Sequence, residues 1–250
     1  MTDKKVLILG GTGEAAALAT RLSAELAETT EIITSLAGRT KTPTPLPGRV
    51  ISGGFGGIQG IKLFVEDEGI NVVIDATHPF AETISDSAYV ACTVTNTLRM
   101  TLLRPEWNLP AEARWLEVDS MEAASEALGK TATRAFLTIG KRGLDAFAGL
   151  ENVWFLVRLI EQPDEPLPFA ECETITGRPP HDVDAERAVM EKHQINALVS
   201  KHAGGSATEG KILAALGLDI PIILIRRPPR LPGLCTESLD DCVDWVKTQI

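Results

Sequence analysis

The 250-residue sequence lacks the features that mark several common protein classes. It has no uninterrupted apolar run of about 18 residues, so we expect no transmembrane helix. Its first residues lead directly into a predicted strand and leave no space for a signal peptide, which favours a cytoplasmic location. Only 24 Lys and Arg stand against 34 Asp and Glu, and the formal charge of −10 argues against nucleic-acid binding. We therefore expect neither a membrane nor a nucleic-acid partner.

Cysteine and the common catalytic motifs are equally sparse. The four cysteines are scattered without a Cys-x-x-Cys spacing, so we expect reduced thiols and no metal site. The single tyrosine, Tyr89, is followed four positions later by Thr93, which excludes the Tyr-x-x-x-Lys pair of short-chain dehydrogenases. Gly-x-Ser-x-Gly and His-Glu-x-x-His are also missing. This is consistent with a reductase, because a hydride-transfer cofactor supplies the chemistry itself.

Short apolar strands alternate with helical patterns along the chain, which predicts an α/β fold with parallel sheets flanked by helices. We predict two Rossmann-like domains, a nucleotide-binding domain at 1–118 and a second α/β domain at 119–250, with a ligand-binding interdomain cleft. The predicted strands are 5–9, 30–35, 49–52, 71–75, 97–103, 115–118, 135–139, 153–159, 197–200 and 221–225. The predicted helices are 13–27, 57–68, 81–94, 120–128, 144–150, 183–193, 205–216 and 238–248.

The turn after the first predicted strand carries a dinucleotide-binding pattern. Gly11, Gly13 and Ala16 fit G-x-G-x-x-G/A, in which the glycines allow a tight turn and a close approach to a pyrophosphate. The unpaired N–H groups at the start of the following helix favour an anion there. The alternative is a merely tight strand-to-helix turn. The residues that we predict at the pyrophosphate are Gly11, Thr12, Gly13, Glu14 and Ala15.

The end of the second predicted strand favours NADP(H) over NAD(H). NAD sites usually place an acidic residue there to accept hydrogen bonds from the adenosine ribose, whereas the only candidate, Glu31, lies at the start of the strand. Ser35, Arg39 and Thr40 follow instead, and a hydroxyl and a guanidinium suit a ribose 2′-phosphate. The alternative is that Arg39 is an ordinary solvated surface residue.

Two further loops follow predicted strands and could reach the same ligand. The glycine-rich stretch 52–57 would let the backbone approach a cofactor at Gly54, or would simply be a flexible loop. Thr77 and His78 follow the fourth strand at its carboxyl end, where ligands collect in open α/β sheets, so we expect them near the nicotinamide. His78 is a candidate general acid, with a structural role as the alternative.

A second glycine pair, in the other half of the chain, predicts an anion-binding site. Backbone N–H groups, hydroxyls and lysines combine there, without the Walker A pattern. Lys211, Arg226, Arg227 and Arg230 would add positive charge, or would only cap helices and solvate the surface. The predicted substrate-binding residues are Lys201, His202, Gly204, Gly205, Ser206 and Thr208.

Taken together, these motifs resemble the precorrin-6A reductase family of cobalamin biosynthesis. The resemblance rests on segments 10–15, 35–39, 53–57 and 104–107, and above all on Asp75-Ala-Thr-His-Pro-Phe-Ala81. It implies NADPH-dependent reduction of the C18=C19 bond of precorrin-6A, a polycarboxylate tetrapyrrole, to give precorrin-6B. One departure is His202-Ala203, where the family leads us to expect Asn-Ser.

The residues by themselves leave two other functions open. One is an NADP-dependent oxidoreductase acting on a different anionic substrate. The other is a non-enzymatic NADP(H)-binding sensor whose second half contacts a protein. The proton donor and the oligomeric state also stay open at this point.

Overall fold

The computed structural model describes residues 4–38 and 45–250. The chain forms two compact units, the first made of Met1–Pro105 with Pro228–Ile250 and the second of Glu106–Arg227. The strands are β1 (Lys4–Leu9), β2 (Thr30–Leu36), β3 (Arg49–Ser52), β4 (Val72–Asp75), β5 (Leu98–Leu102), β6 (Trp115–Val118), β7 (Arg134–Thr138), β8 (Trp154–Leu159), β9 (Cys172–Thr176), β10 (Ala197–Lys201), β11 (Ile222–Ile225) and β12 (Leu234–Thr236). The helices are α1 (Gly13–Leu26), α2 (Ile58–Glu68), α3 (Glu82–Thr95), α4 (Met121–Gly129), α5 (Val183–Lys192), α6 (Gly210–Gly217) and α7 (Leu239–Gln249), with short 3-10 helices at Leu144–Phe147 and Ser206–Thr208.

The first unit is a parallel sheet in the order β12-β5-β4-β1-β2-β3, and it is buried on both faces. Successive side chains of a strand point to opposite faces, so an unbroken apolar strand must be covered twice. Val6 and Ile8 of β1 pack with α1 and α7, while Leu7 and Leu9 pack against α2 and α3. The central strand therefore holds the loops at its carboxyl end on a rigid base.

The second unit repeats this architecture with the strand order β6-β11-β10-β7-β8-β9, again parallel throughout. On one face Phe136, Leu198 and Leu224 pack with side chains of α5 and α6. On the other face Leu137 and Val199 are fully buried as well. The prediction of two Rossmann-like α/β halves with parallel sheets is thus confirmed.

The chain divides differently from the predicted boundary between 118 and 119. Strand β6 pairs with β11 in the second sheet, so the second unit begins at Glu106. The C-terminal segment returns to the first unit, where β12 pairs with β5 and Val243 of α7 packs in the core. The apolar periodicity of 238–248 predicts a helix, but it carries no information about which sheet that helix covers.

The structure also contains two strands, β9 and β12, that the sequence pattern did not predict. Both lie at the edge of their sheet and leave most of their residues partly or fully exposed. The predicted helix at 144–150 is a short 3-10 helix, and the one at 205–216 is a 3-10 turn followed by α6. None of the helices in the described residues combines the length and apolar character that crossing a membrane requires.

Candidate cofactor and substrate sites

Three of the predicted cofactor-binding segments meet at one edge of the first sheet. In the parallel register, Leu9 at the end of β1 lies beside Ser35 of β2 and Asp75 of β4. The loops that follow these strands therefore leave the sheet together at its carboxyl edge, by which we mean the edge formed by the strands' carboxyl ends. Ligands of open α/β sheets bind at this edge.

The glycine turn after β1 is a tight structure that needs its small residues. The N–H of Gly10 donates to the carbonyl of Ser35 at 2.9 Å. A Cβ at Gly10 would lie only 3.1 Å from Thr34 Cγ2 and 3.2 Å from the Ser35 carbonyl oxygen. Gly11 has φ of 100°, a left-handed conformation that other residues adopt only with strain. The turn thus needs glycine at position 10 for lack of space and at position 11 for its backbone conformation.

The start of α1 offers open hydrogen-bond donors. Thr12 is the N-cap: its hydroxyl accepts from the N–H of Ala15 at 3.1 Å and donates to the Ala76 carbonyl at 2.7 Å. The N–H groups of residues 11–14 find no acceptor among the described residues. A Cβ at Gly13 would also meet nothing within 4 Å. These donors and the helix dipole suit a phosphate group.

Glu14, which we predicted at the pyrophosphate, is held by a partner that sequence reasoning missed. Its carboxylate accepts a hydrogen bond from Arg104 Nε at 2.8 Å, and the Arg104 side chain is only 12% exposed. The pair neutralises an acid that would otherwise repel a phosphate. Arg104 follows β5 and lies 90 residues from Glu14 in sequence, so no local pattern predicts the contact.

The end of β2 offers no acid to a ribose. The described residues that follow β2, Ala37 and Gly38, are uncharged, and Ser35 is buried. Glu31 lies at the opposite end of the strand, where its carboxylate is 3.5 Å from Lys5 and 3.7 Å from Arg49. The predicted phosphate ligands Arg39 and Thr40 fall outside the described residues.

The glycine-rich loop after β3 is attached to the same edge. The N–H of Gly53 donates to the Leu36 carbonyl at 3.0 Å, which fixes the loop beside the end of β2. A Cβ at Gly60 would overlap the Phe55 carbonyl, so the loop packs directly on the first turn of α2. Gly54 is exposed, and a Cβ there would meet nothing within 4 Å. Its backbone is therefore open to a ligand.

The loop after β4 is shaped by its own polar groups. The Thr77 hydroxyl donates to buried Asp75 at 2.7 Å and lies 3.2 Å from the Ser85 hydroxyl. His78 is half-buried, and its Nδ1 accepts from the N–H of Phe80 at 3.2 Å. In the neutral ring this bond places the proton on Nε2. Thr77 thus fixes the loop, and neutral His78 carries its N–H on Nε2.

The second glycine pair lies at the carboxyl edge of the second sheet, directly after β10. Gly204 and Gly205 have φ of 67° and 77°, and their N–H groups find no acceptor among the described residues. Ser206 is exposed, and half-exposed Thr208 donates a long hydrogen bond from its hydroxyl to the Gly204 carbonyl at 3.5 Å. The structure thus brings together most of the predicted anion-binding residues on one turn.

The exposed basic residues predicted to support this turn are paired with acids. Arg226 binds Glu117 at 2.8 Å and Asp119 at 2.6 Å. Arg230 belongs to the first unit, where it lies 3.4 Å from Glu237. Their charges are therefore partly compensated, which the sequence pattern did not indicate.

The two buried basic residues hydrogen-bond to the backbone around the second glycine turn. Arg227 is 9% exposed and donates to the carbonyls of His202 and Ala203, each at 2.8 Å. Buried Lys211 donates to the Thr208 carbonyl at 2.9 Å. The two cations thus hydrogen-bond to the backbone on either side of Gly204 and Gly205.

His202, predicted to contact substrate, instead lies inside the second unit. Its ring is 8% exposed, with Nδ1 2.9 Å from Glu117 Oε1 and Nε2 3.2 Å from the Trp107 carbonyl. Burial raises the pKa of Glu117, but hydrogen bonds from His202 and Arg226 outweigh burial and hold that pKa below its usual range. The position of His202 beside the glycines is a local property, whereas the direction of its ring depends on Glu117 and Trp107, which lie 85 and 95 residues away in sequence.

Two parallel α/β units with glycine turns at their carboxyl edges define a protein of the Rossmann-like, nucleotide-binding class. The chain matches a family model described as "Precorrin-6x reductase CbiJ/CobK" over residues 5–247. The chain belongs to this family of reductases, which confirms the resemblance seen in the sequence.

Individual relatives cover nearly the whole chain. It is 42% identical to "Precorrin-6A reductase" of Rhodococcus erythropolis over 98% of both chains. It is 41% identical to the protein of that name from Sinorhizobium sp, over 98% of this chain and 95% of the relative. A solved structure titled "CobK precorrin-6A reductase" superposes with a TM-score of 0.91 at 35% identity, covering 98% of this chain and 97% of the other.

Proposed function

We propose that this chain is an NADPH-dependent reductase that converts precorrin-6A into precorrin-6B by reducing its C18=C19 bond. Membership of the family makes the chain an oxidoreductase and implies a nicotinamide cofactor. The observation that carries the cofactor assignment is the glycine turn, where the N–H groups of residues 11–14 have no acceptor within the part of the chain that the structure describes. The substrate assignment is supported by the names of the relatives and by the second glycine turn.

The first glycine turn fits the pyrophosphate of a dinucleotide. The N–H groups of Gly11, Thr12, Gly13 and Glu14 lie at or just before the start of α1, at the positive end of its dipole. Arg104 adds a guanidinium close to the same turn and compensates Glu14. Ala15 is buried, so its contribution is to keep the helix packed closely on the sheet.

The cofactor's 2′-phosphate distinguishes NADPH from NADH at the end of β2. An acid there would favour the free ribose hydroxyl of NADH, and neither Ala37 nor Gly38 supplies one. Ser35, Arg39 and Thr40 follow in sequence, and a guanidinium binds phosphate through bidentate, charge-assisted hydrogen bonds. We assign the 2′-phosphate to these three residues.

The loops after β3 and β4 complete the proposed cofactor site. When bound, the reduced nicotinamide supplies a hydride to one carbon of the double bond. We assign Gly54 and Thr77 to positioning the cofactor, one through open backbone and the other through the shape of its loop. His78 holds a proton on Nε2 in its neutral form and is the candidate to protonate the second carbon.

The second glycine turn is suited to the carboxylates of the tetrapyrrole. The N–H groups of Gly204 and Gly205 and the hydroxyls of Ser206 and Thr208 provide donors on one short segment. Lys201, at the end of β10, adds a positive charge to this edge. A polycarboxylate needs such local donors in a chain whose net charge is −10.

The test is anaerobic incubation of the purified chain with precorrin-6A and either NADPH or NADH, followed at the nicotinamide absorbance band. We expect substrate-dependent oxidation that is faster with NADPH. Arg39→Ala should raise KM for NADPH far more than for NADH, because only NADPH carries the phosphate. Arg21→Ala, at an exposed arginine of α1 paired with Glu25, is the matched control. Equal effects of Arg39→Ala on both cofactors would exclude the assignment of the 2′-phosphate.

A further inference from the structure

The His202 ring is enclosed by hydrogen-bond acceptors on both sides. Nδ1 faces the Glu117 carboxylate of β6 at 2.9 Å, and Nε2 faces the Trp107 carbonyl at 3.2 Å. The ring also stacks on the Trp107 indole, with centroids 5.9 Å apart and an interplanar angle of 23°. The residue retains 7% of its accessible surface, so water has little access to either nitrogen.

Two acceptors require two donors, and only the charged ring provides them. Neutral imidazole has one N–H group and one lone pair, whereas imidazolium donates from both nitrogens. A neutral His202 would therefore place a ring lone pair against either the carboxylate oxygen at 2.9 Å or the carbonyl oxygen at 3.2 Å, which is unfavourable. The arrangement favours the imidazolium.

The ring is linked to the glycine turn through Trp107. The indole Nε1 donates to the Gly205 carbonyl at 2.9 Å, so the residue that accepts from His202 also holds the turn. Arg227 also donates to the carbonyls of His202 and Ala203, each at 2.8 Å. The position of Gly205 thus depends on a chain of contacts that passes through the ring.

The charges around the ring are of both signs. The nearest is the Glu117 carboxylate, which also binds Arg226. Lys211 lies 5.0 Å from the centroid of the Trp107 ring. Two further ion pairs lie near this cluster, Asp119 with Arg226 and Glu106 with Arg227.

We propose that His202 is a positioning residue: as an imidazolium bridging Glu117 and Trp107, it holds the Gly204–Gly205 turn in the conformation that binds an anionic substrate group. The identity of that substrate rests on the proposed function, but the bridge does not. Loss of the proton or of the ring nitrogens would release Trp107 and let the turn shift. His202 acts through Trp107 and does not itself touch the substrate.

The protonation state can be measured directly on the full chain. The ring nitrogens of the four histidines give resolved 15N shifts in protein labelled with 15N-histidine, and His202→Phe assigns the signal. We expect both His202 nitrogens to show the shifts of hydrogen-bonded N–H groups under the conditions of the activity assay, because each faces an acceptor. A ring that is neutral throughout the pH range in which the protein is folded would overturn the proposal.

The functional consequence is measured with a matched pair of variants. His202→Phe keeps a flat ring against Trp107 but removes both donors. His193→Phe makes the same change at a ring that is equally buried and stacks on Trp154, but that lies at the end of α5 beside the start of β7. We expect His202→Phe to raise KM for precorrin-6A about 30-fold, the effect of losing one hydrogen bond between the shifted turn and a charged substrate group. KM for NADPH and kcat should stay within about twofold, and His193→Phe should leave all three unchanged.

The outcomes separate this inference from the proposed function. An unchanged KM for precorrin-6A in folded His202→Phe would overturn the inference, and so would an equal rise in His193→Phe. If wild-type protein does not turn over precorrin-6A, the proposed function fails. The inference about His202 can then still be tested by the 15N chemical shifts of its ring and by the amide resonance of Gly205. A Gly205 resonance that is the same in wild type and His202→Phe would then contradict it.

Discussion

The variant Gly13→Ala should affect the stability of the fold and the binding of a dinucleotide in opposite directions. Gly13 is the first residue of α1, its φ is not positive, and a Cβ there would meet no atom within 4 Å. Alanine is a better helix former than glycine, so we expect the variant to gain about 0.5 kcal/mol in its free energy of unfolding. The ligand-free protein therefore has no need of glycine at this position.

The same methyl group should weaken cofactor binding strongly. It would stand between a phosphate and the open N–H groups at residues 11–14. Losing one hydrogen bond to a charged group costs about 2 kcal/mol, which corresponds to a roughly 30-fold higher Kd for NADPH. The assay is titration of NADPH by isothermal calorimetry or nicotinamide fluorescence, combined with denaturant unfolding of the same samples.

Two other glycines provide the comparison. Gly11→Ala should lose about 1–2 kcal/mol of stability as well as NADPH affinity, because its φ of 100° is left-handed. Gly149→Ala is an equally open position in the second unit and should leave NADPH binding unchanged. Wild-type affinity for NADPH in Gly13→Ala would refute the placement of the pyrophosphate at this turn.

Two further predictions concern histidines. His78→Ala should lower kcat at least about tenfold if Nε2 delivers the proton, since general acids typically contribute 10²–10⁴-fold; an unchanged kcat in steady-state assays would reduce His78 to a structural residue. Burial, with smaller contributions from Arg158 and Lys211, lowers the pKa of His181 from 6.5 to about 4. Between these values the unfolded chain binds a proton that the folded chain does not, so stability falls as the pH falls. His181→Asn should therefore lose less stability between pH 7 and pH 5 in urea unfolding, and identical losses would contradict this reasoning.

The parts of the fold that the sequence predicts best are those whose signal is local. The run Val6–Leu9 predicts a central parallel strand because an uninterrupted apolar strand must be covered on both faces. All four of its side chains are buried in the structure. Gly11 and Gly13 predict the turn because glycine itself allows a left-handed backbone and leaves the space beside the chain open. The location of Thr77 at a carboxyl edge follows from its place after a buried strand.

The remaining features depend on partners far away in sequence. Strand β12 is three residues long and mostly exposed, so it has no apolar pattern and is defined only by its pairing with β5. The position of Glu14 at the glycine turn is evident from the sequence, but the pairing of its carboxylate with Arg104 is not. His202 sits among predicted anion-binding residues, yet contacts with Glu117 and Trp107 turn its ring inward.

The central claim is that this chain transfers a hydride from NADPH to precorrin-6A. The most direct measurement is an anaerobic single turnover with NADPH that carries deuterium at the transferable position of the nicotinamide ring, followed by mass spectrometry of the tetrapyrrole. The account predicts a product containing one deuterium for each NADPH oxidised. A reduced tetrapyrrole without deuterium, or no oxidation of NADPH in the presence of precorrin-6A, would contradict it.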